Sequence, residues 1–176
     1  LGNVGKFIVQ YLKQDNTTLY VSDLVFDNIK EVEDKFHDVI IVKPSEILTQ
    51  EVDIVVPCAV GSVIDESNID QLKCKIIAGS ALNIFANEDL AEKVYEKGIL
   101  YAPALIAAGD LFLLDRKLKL GTVEEKLEGT RIIYNVLLDI FQRAKEQGIS
   151  PRQLAIRDAM ERYRKIDNIN NILCYI

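Results

Sequence analysis

The sequence predicts an α/β protein, built as a doubly wound, mostly parallel sheet with helices on both faces and further helices at the C-terminal end. Three observations support this fold class. Helical and strand patterns alternate over residues 4–103. The strand patterns are short and almost entirely apolar, which is typical of parallel strands buried on both faces. Longer amphipathic patterns then fill the rest of the sequence and indicate helices.

The first predicted elements alternate helix with strand. Apolar residues recur at helical spacing from Gly5 to about Gln14. The segment "TTLYVSD" has the composition of a strand and ends at Asp23. "DNIKEVEDKF" then predicts a short helix capped by Asp27, and "DVIIV" predicts the next strand.

Three further strands are predicted in "VDIVVP", "KIIAG" and "ILYAP". Between the first two, "IDESNIDQL" predicts a helical turn that Asp65 opens. Between the last two, "ANEDLAEKVYEKG" predicts a helix that ends at Gly98. Parallel pairing is expected, because helical crossovers join parallel strands.

Two longer helices are predicted after residue 121. Thr122 and Glu125 have the spacing of a capping box, and the helix that they begin ends at Gly148. Ser150 then offers a cap, and Pro151 occupies the first position of the last helix. The apolar side of the longer helix carries Leu127, Ile133, Leu137, Ile140, Phe141 and Ala144. We therefore expect one domain, residues 1–176, with a helical C-terminal tail.

Composition excludes several classes of protein. The 176 residues carry a net charge of −6, and 49% of them are hydrophobic, which suits a globular chain. An acidic balance argues against nucleic-acid or membrane binding, which need basic surfaces. No apolar run approaches the roughly 20 residues of a membrane span. With one histidine and three cysteines that lack metal-ligand spacing, we expect no metal site, reduced thiols and a cytoplasmic location.

The first five residues match part of a dinucleotide-binding loop. Leu1-Gly2-Asn3-Val4-Gly5 fits positions two to six of G-x-G-x-x-G, and a helical pattern follows directly. The amides and dipole of a helix N-terminus favour a pyrophosphate there, and the two glycines allow close backbone approach. The alternative is an ordinary helix start. The expected strand would precede Leu1, so the predicted fold is Rossmann-like with its first strand missing from the chain.

Asp23 lies 18 residues after Gly5, at the end of the next predicted strand. A carboxylate at this position in a dinucleotide-binding fold accepts hydrogen bonds from the adenosine ribose. Asp23, with Leu24 beside it, is thus a candidate cofactor contact, and the alternative is a turn carboxylate ahead of the next helix. Because a carboxylate repels a 2′-phosphate and no arginine is near, NAD is favoured over NADP.

Candidate nicotinamide contacts follow two later strands. Cys58, Ala59 and Val60 come after one strand, where small side chains would let the ring lie against the strand ends. Asn83 follows the next strand, and its amide could bond the nicotinamide ribose or carboxamide. A helix cap ahead of "EDLAEKV" is the alternative for Asn83. Cys58 is better explained as a small packed side chain than as a nucleophile, since no histidine is near in sequence.

The segment "DIVVPCAVGSVIDESNIDQLKCKIIAGSALNIF" resembles the cofactor domain of the glutamate, leucine, phenylalanine and valine dehydrogenases, and leucine dehydrogenase most of all. "PCA-x-G" and "K-x-I-A-G-x-A-L-N" stand in the same order and spacing, and the likeness extends from Leu1 to about Ile166. It implies an NAD-dependent enzyme that deaminates a branched-chain or other apolar L-amino acid to a 2-oxo acid and ammonia. It also implies a homo-oligomer when the protein is full length.

The resemblance places the catalytic lysines in a separate N-terminal domain, which no segment here resembles. Residues 1–176 would then be the NAD-binding domain alone, inactive without its partner domain. No catalytic role is assigned to the lysines present, such as Lys73, Lys75, Lys93 and Lys97. One alternative is a dehydrogenase-like protein that has lost turnover and binds NAD as a sensor or partner domain. Another is the structural remnant of a broken gene.

One stretch departs from the family pattern. In the family the strand before the substrate cleft continues as Y-A-P-D-x-x-x-N-A-G-G, and the resemblance implies that this asparagine contacts the substrate amino group. Here "YAPALIAAGD" lacks the aspartate and is one residue shorter. Ala107 therefore stands where the asparagine should be, and Asp110 replaces the second glycine. Ala107 is the candidate substrate residue, although alanine cannot hydrogen-bond an ammonium group.

Overall fold

A computed structural model describes residues 1–108 and 122–173. The chain forms two compact units, Leu1–Ala104 and Leu105–Ile176. The first unit contains the strands of the described residues, and the second contains the two long helices. Among the described helices, none has an apolar stretch long enough to cross a membrane.

Helices and strands alternate as the sequence predicts, although each strand is only two residues long. Short 3-10 turns lie at Lys13–Asp15, Ile47–Thr49 and Ile69–Gln71. In chain order the other elements are α1 (Gly5–Leu12), β1 (Tyr20–Val21), α2 (Phe26–Lys35), β2 (Ile40–Ile41), β3 (Ile54–Val55), β4 (Ile76–Ile77), α3 (Asp89–Glu96), β5 (Leu100–Tyr101), α4 (Ala104–Ala107), α5 (Val123–Gln147) and α6 (Pro151–Leu173).

The strand pairs are all parallel, which confirms the predicted pairing. β1 pairs with β2, and Tyr20 lies opposite Ile40. β4 lies between β3 and β5, so Ile76 has Ile54 on one side and Leu100 on the other. The strands form a two-stranded and a three-stranded sheet rather than the single sheet predicted. Among the described residues, β1, β2, β3 and β5 each have one edge that no strand pairs with.

Helices of the first unit cover one face of each sheet. Val9 of α1 and Val32 of α2 share a small core with Val21 of β1. A larger core under the three-stranded sheet includes Leu90 of α3, which has no exposed surface, together with Ile77. Burying a leucine side chain contributes roughly 1.5–3 kcal/mol to folding, so the burial of Leu90 in this core stabilises the unit.

The prediction that the strands are buried on both faces is wrong. Ile77 and Tyr101 face the core, whereas Ile54 and Leu100 are 48% and 38% exposed. Successive strand residues point to opposite faces of a sheet, so the core covers one face and leaves apolar surface exposed on the other. The sequence misleads here because these apolar runs contain no polar residue that would mark the exposed face.

Helix starts agree only in part with the sequence analysis. The Ser150 hydroxyl accepts a hydrogen bond from the Gln153 amide at 3.1 Å, which confirms the predicted cap of α6. Asp27 does not cap α2, which begins at Phe26 without a side-chain cap. The structure does not describe the side chain of Glu125, the second residue of the predicted capping box, so that box stays a prediction.

The two long helices pack together within the second unit. Ile140 and Ala144 of α5 share a core with Leu154 and Ala155 of α6. At the edge of this core, the Arg143 guanidinium donates to the Asp158 carboxylate at 2.7 and 3.0 Å. Both hydrogen bonds are charge-assisted and bidentate, so they set the register of α5 against α6.

Replacing Leu90 by alanine should destabilise the protein. Leu90 is fully buried, so truncation removes buried methyl groups and leaves a cavity, which costs about 2–5 kcal/mol of unfolding free energy. Leu82, which is 54% exposed, is the matched control, and Leu82→Ala should cost less than about 1 kcal/mol. Urea-induced unfolding measures both. Equal losses for the two variants would contradict the described core.

Candidate functional site

The predicted cofactor-binding residues lie at the start of α1 and in the loops that follow three of the parallel strands. The glycine loop, residues 2–5, precedes α1, and the other candidates follow β1, β3 and β4. The Leu1 nitrogen donates to Asp23 Oδ2 at 2.5 Å. A Cβ added at Gly5 would lie 3.5 Å from the Cys58 Cβ. The glycine loop therefore lies beside the loops that follow β1 and β3, at the carboxyl end of the strands, where ligands of open α/β sheets bind.

The glycine loop presents unpaired amides at the start of α1. Within the described residues, no acceptor contacts the amides of Asn3, Val4 or Gly5, and no side chain caps the helix. A Cβ added at Gly2 would meet no atom within 4 Å, so the space beside the loop is open. Unpaired amides and the positive end of a helix dipole together attract an anion.

Three donors hold the Asp23 carboxylate, whose side chain is 14% exposed. The Val25 amide donates to Oδ1 at 2.8 Å, and the Asn28 side-chain amide and the Leu1 nitrogen donate to Oδ2. Burial raises the pKa of Asp23, but the hydrogen bonds from the Leu1 nitrogen, the Val25 amide and the Asn28 side chain outweigh burial and hold the pKa below its usual value. Asp23 is therefore an ionised acceptor at neutral pH. Through Val25 it also serves as a turn carboxylate, the alternative role that the sequence left open.

The loops after β3 and β4 approach each other closely. A Cβ at Gly79 would lie 2.1 Å from the Pro57 carbonyl oxygen, so only glycine fits at this position. The Ala81 amide donates to the same Pro57 oxygen at 3.1 Å. Further along, the Ser62 amide donates to the Asn83 carbonyl oxygen at 2.5 Å. These contacts bring the loop that carries Cys58, Ala59 and Val60 next to Asn83.

The candidate nicotinamide contacts lie on an open surface. Cys58 is half-buried, whereas Ala59, Val60 and Asn83 are exposed. Asn83 does not cap α3, because that helix begins at Asp89 and the Leu90 amide donates to Asn87 Oδ1. The helix-cap alternative for Asn83 is therefore wrong. Leu24, beside Asp23, is 90% exposed.

Lys75 is one of the lysines to which the sequence analysis assigns no catalytic role. Lys75 donates to Asp53 at 2.6 Å on the surface, and this hydrogen bond raises the pKa of Lys75. A lysine that acts as a general base needs a lowered pKa instead. Ala107 lies half-buried in α4, and Asp110 lies outside the described residues. No cluster of histidine, cysteine, aspartate or glutamate in the described part of the chain could hold a metal ion.

Two residues that shape the site escaped the sequence analysis. Gly79 stands directly after a strand in "IAGSALN", and a glycine at such a point is a signal of close backbone approach. Asn28 carried no such signal, because its contact with Asp23 depends on where α2 begins.

Comparison with known proteins places the chain among amino-acid dehydrogenases. The family described as Glutamate/Leucine/Phenylalanine/Valine dehydrogenase matches residues 22–110. Phenylalanine dehydrogenase of Bacillus thermotolerans is 36% identical over 93% of this chain and 44% of its own length. Leucine dehydrogenase of Thermoactinomyces intermedius is 34% identical over 92% of this chain and 44% of its own length.

The crystal structure of L-tryptophan dehydrogenase from Nostoc punctiforme superposes with a TM-score of 0.85 at 35% identity. The match covers 94% of this chain and 50% of that one, and it confirms the predicted fold class. The chain thus spans about half the length of the relatives that it matches. Because relatives named for phenylalanine, leucine and tryptophan match about equally well, the expected special likeness to leucine dehydrogenase is not confirmed.

Replacing Gly79 by alanine should destabilise the protein by about 1–3 kcal/mol or more, because the added Cβ would press on the Pro57 carbonyl. Gly98→Ala is the control. At Gly98 a Cβ meets open space, and only the positive φ of 75° imposes a cost of about 1 kcal/mol. Thermal unfolding of both variants measures the difference. A Gly79→Ala protein as stable as the parent would show that the two loops do not approach as described.

Proposed function

This chain belongs to the glutamate, leucine, phenylalanine and valine dehydrogenase family, and we propose that it is the NAD-binding part of an L-amino-acid dehydrogenase. The whole enzyme would convert a branched-chain or other apolar L-amino acid to its 2-oxo acid and ammonia. The observation that carries the proposal is the juxtaposition of the glycine-loop amides with the ionised Asp23 at one edge of the strands. The residues present fit a dinucleotide at both positions.

The pyrophosphate of the cofactor would lie on the glycine loop. The amides of Asn3, Val4 and Gly5 have no acceptor among the described residues, so they are available to phosphate oxygens. The open space at Gly2 leaves room for the phosphates beside the backbone. Helix N-termini of this kind bind phosphate in dinucleotide-binding folds.

The adenosine ribose would lie against Asp23. A carboxylate accepts hydrogen bonds from ribose hydroxyls, and its low pKa keeps it charged at neutral pH. The same charge repels the 2′-phosphate of NADP, which supports a preference for NAD. Leu24, exposed next to Asp23, is placed to contact the adenosine.

The nicotinamide end would lie over Cys58, Ala59 and Val60, with Asn83 as a hydrogen-bonding partner. When bound, the nicotinamide ring supplies the chemistry that accepts the substrate hydrogen with its electron pair. In this chain the role of these residues is to position the ring, since the close contact of Gly79 with Pro57 brings their two loops together.

The remaining functions of the enzyme would reside outside this chain. We assign no residue here to water activation, and we expect the segment alone to be inactive.

We also propose that a strand ahead of Leu1 in the whole protein pairs with the open edges of β1 and β3, joining the two sheets. The whole protein is inferred to be a cytoplasmic homo-oligomer.

A second candidate is an NAD-binding protein without turnover. The observation that favours it is Ala107, which replaces the polar residue expected to contact the substrate amino group. Loss of one hydrogen bond to a charged group costs about 1.5–3 kcal/mol, so substrate would bind weakly even if NAD binds well. Assays of the whole protein with branched and aromatic amino acids distinguish the two candidates, because only the first predicts NADH production.

Asp23→Ser should reduce the preference of the whole protein for NAD over NADP. The change removes both a charge-assisted acceptor and the repulsion of the 2′-phosphate, so the difference in binding free energy should shrink by about 1–3 kcal/mol. Calorimetric titration with each cofactor measures it. Asp27→Ser, a change at an exposed aspartate in α2, should leave the preference unaltered. Tighter binding of NADP than NAD by the parent protein would refute the assignment of Asp23.

NAD should also protect Cys58 from thiol reagents. Cys58 is half-buried beside Gly5, so a cofactor on the glycine loop would cover it. The expected result is slower alkylation of the Cys58 peptide with NAD present, measured by mass spectrometry. Cys74 is buried and serves as the internal reference, because its low reactivity should not change. An unchanged alkylation rate at Cys58 under saturating NAD would argue against the proposed position of the cofactor.

A further inference from the structure

We infer that Asn28 is a positioning residue for cofactor binding, whose side-chain amide holds the Asp23 carboxylate in the orientation that receives the adenosine ribose. This inference rests on the proposed function and adds to it a residue that determines cofactor specificity through Asp23. Asn28 lies in the first turn of α2, five residues after Asp23.

The geometry of the contact restricts how the carboxylate can turn. Asn28 Nδ2 donates to Asp23 Oδ2 at 3.1 Å, while the Val25 amide donates to Oδ1 at 2.8 Å. A single hydrogen bond would leave the carboxylate free to rotate about the bond that joins it to Cβ. Donors on both oxygens define its plane, and both donors belong to the segment that leads into α2. The Asn28 contact is partly buried, so water competes for it only weakly.

The arrangement leaves acceptor capacity for a ligand. A carboxylate has about four lone-pair positions, and the described donors to Asp23 are Val25, Asn28 and the Leu1 nitrogen. Among the described residues, the Val25 amide is the one donor to Oδ1, so this oxygen can still accept from a ribose hydroxyl.

The uncharged side chain of Asn28 also affects the charge of the site. An asparagine amide donates a hydrogen bond without adding a positive charge, so the carboxylate keeps its full repulsion toward a 2′-phosphate. A lysine or arginine at the same place would position Asp23 equally well but would neutralise it. Asn28 therefore orients the Asp23 carboxylate and leaves that carboxylate negatively charged. Both effects suit a site that selects NAD over NADP.

The test is a double-mutant cycle in the whole protein, with NAD and NADP titrated calorimetrically into the parent, Asn28→Ala, Asp23→Ser and the double variant. Asn28→Ala should weaken NAD binding about five- to tenfold, and NADP binding less. In the Asp23→Ser background the same change should have almost no effect, because no carboxylate remains to be positioned. Asn28→Asp, of equal size but without the donor, should weaken NAD binding more than Asn28→Ala does, since two carboxylates repel.

Asn87→Ala is the matched control, because Asn87 also donates its side-chain amide to a carboxylate, that of Glu66, outside the proposed site. It should leave the affinity for both cofactors unchanged. Unaltered NAD binding in both Asn28 variants would overturn the inference while leaving the proposed function intact. An equal loss with and without Asp23 would also overturn it, because the role of Asn28 would then be structural. Failure of the parent to bind NAD would refute the proposed function, and the inference with it.

Discussion

The close approach of Gly79 to the Pro57 carbonyl is the constraint that brings the loops after β3 and β4 together. Parallel strands bring their carboxyl ends to one edge of a sheet, but side chains at those ends would normally hold the following loops apart. A Cβ at residue 79 would lie 2.1 Å from the Pro57 oxygen. The absence of a Cβ at Gly79 lets the Ala81 amide, in the loop after β4, donate to the Pro57 carbonyl oxygen in the loop after β3.

The order of the elements could be predicted from the sequence because each depends on local pattern. Helical spacing after Gly5 and the apolar runs around Ile54 and Ile76 are properties of neighbouring residues. The burial of those runs could not be predicted, because coverage depends on which helix packs on which face. α3 covers the face of Ile77 and leaves that of Ile54 exposed, and nothing in the run itself distinguishes the two residues.

In the candidate site, too, some residues could be predicted from the nearby sequence, whereas the contacts of others depend on how the chain folds. Asp23 could be predicted as a candidate because the prediction uses only its distance along the chain from Gly5 and its place at a strand end. Asn28 was not, since its bond to Asp23 requires α2 to begin at Phe26 rather than at a cap on Asp27. Asn83 had two interpretations, a cofactor contact and a helix cap. The contact of the Leu90 amide with Asn87 Oδ1 excludes the helix cap, and the cofactor contact stays a prediction.

A crystal structure of the whole protein with NAD bound tests the central claim most directly, because it locates both ends of the cofactor. The account predicts pyrophosphate oxygens within hydrogen-bonding distance of the amides of Asn3, Val4 and Gly5, and a ribose hydroxyl on Asp23. It also predicts the nicotinamide ring over Cys58 to Val60. A dinucleotide bound elsewhere, or bound here with the ribose turned away from Asp23, would contradict it.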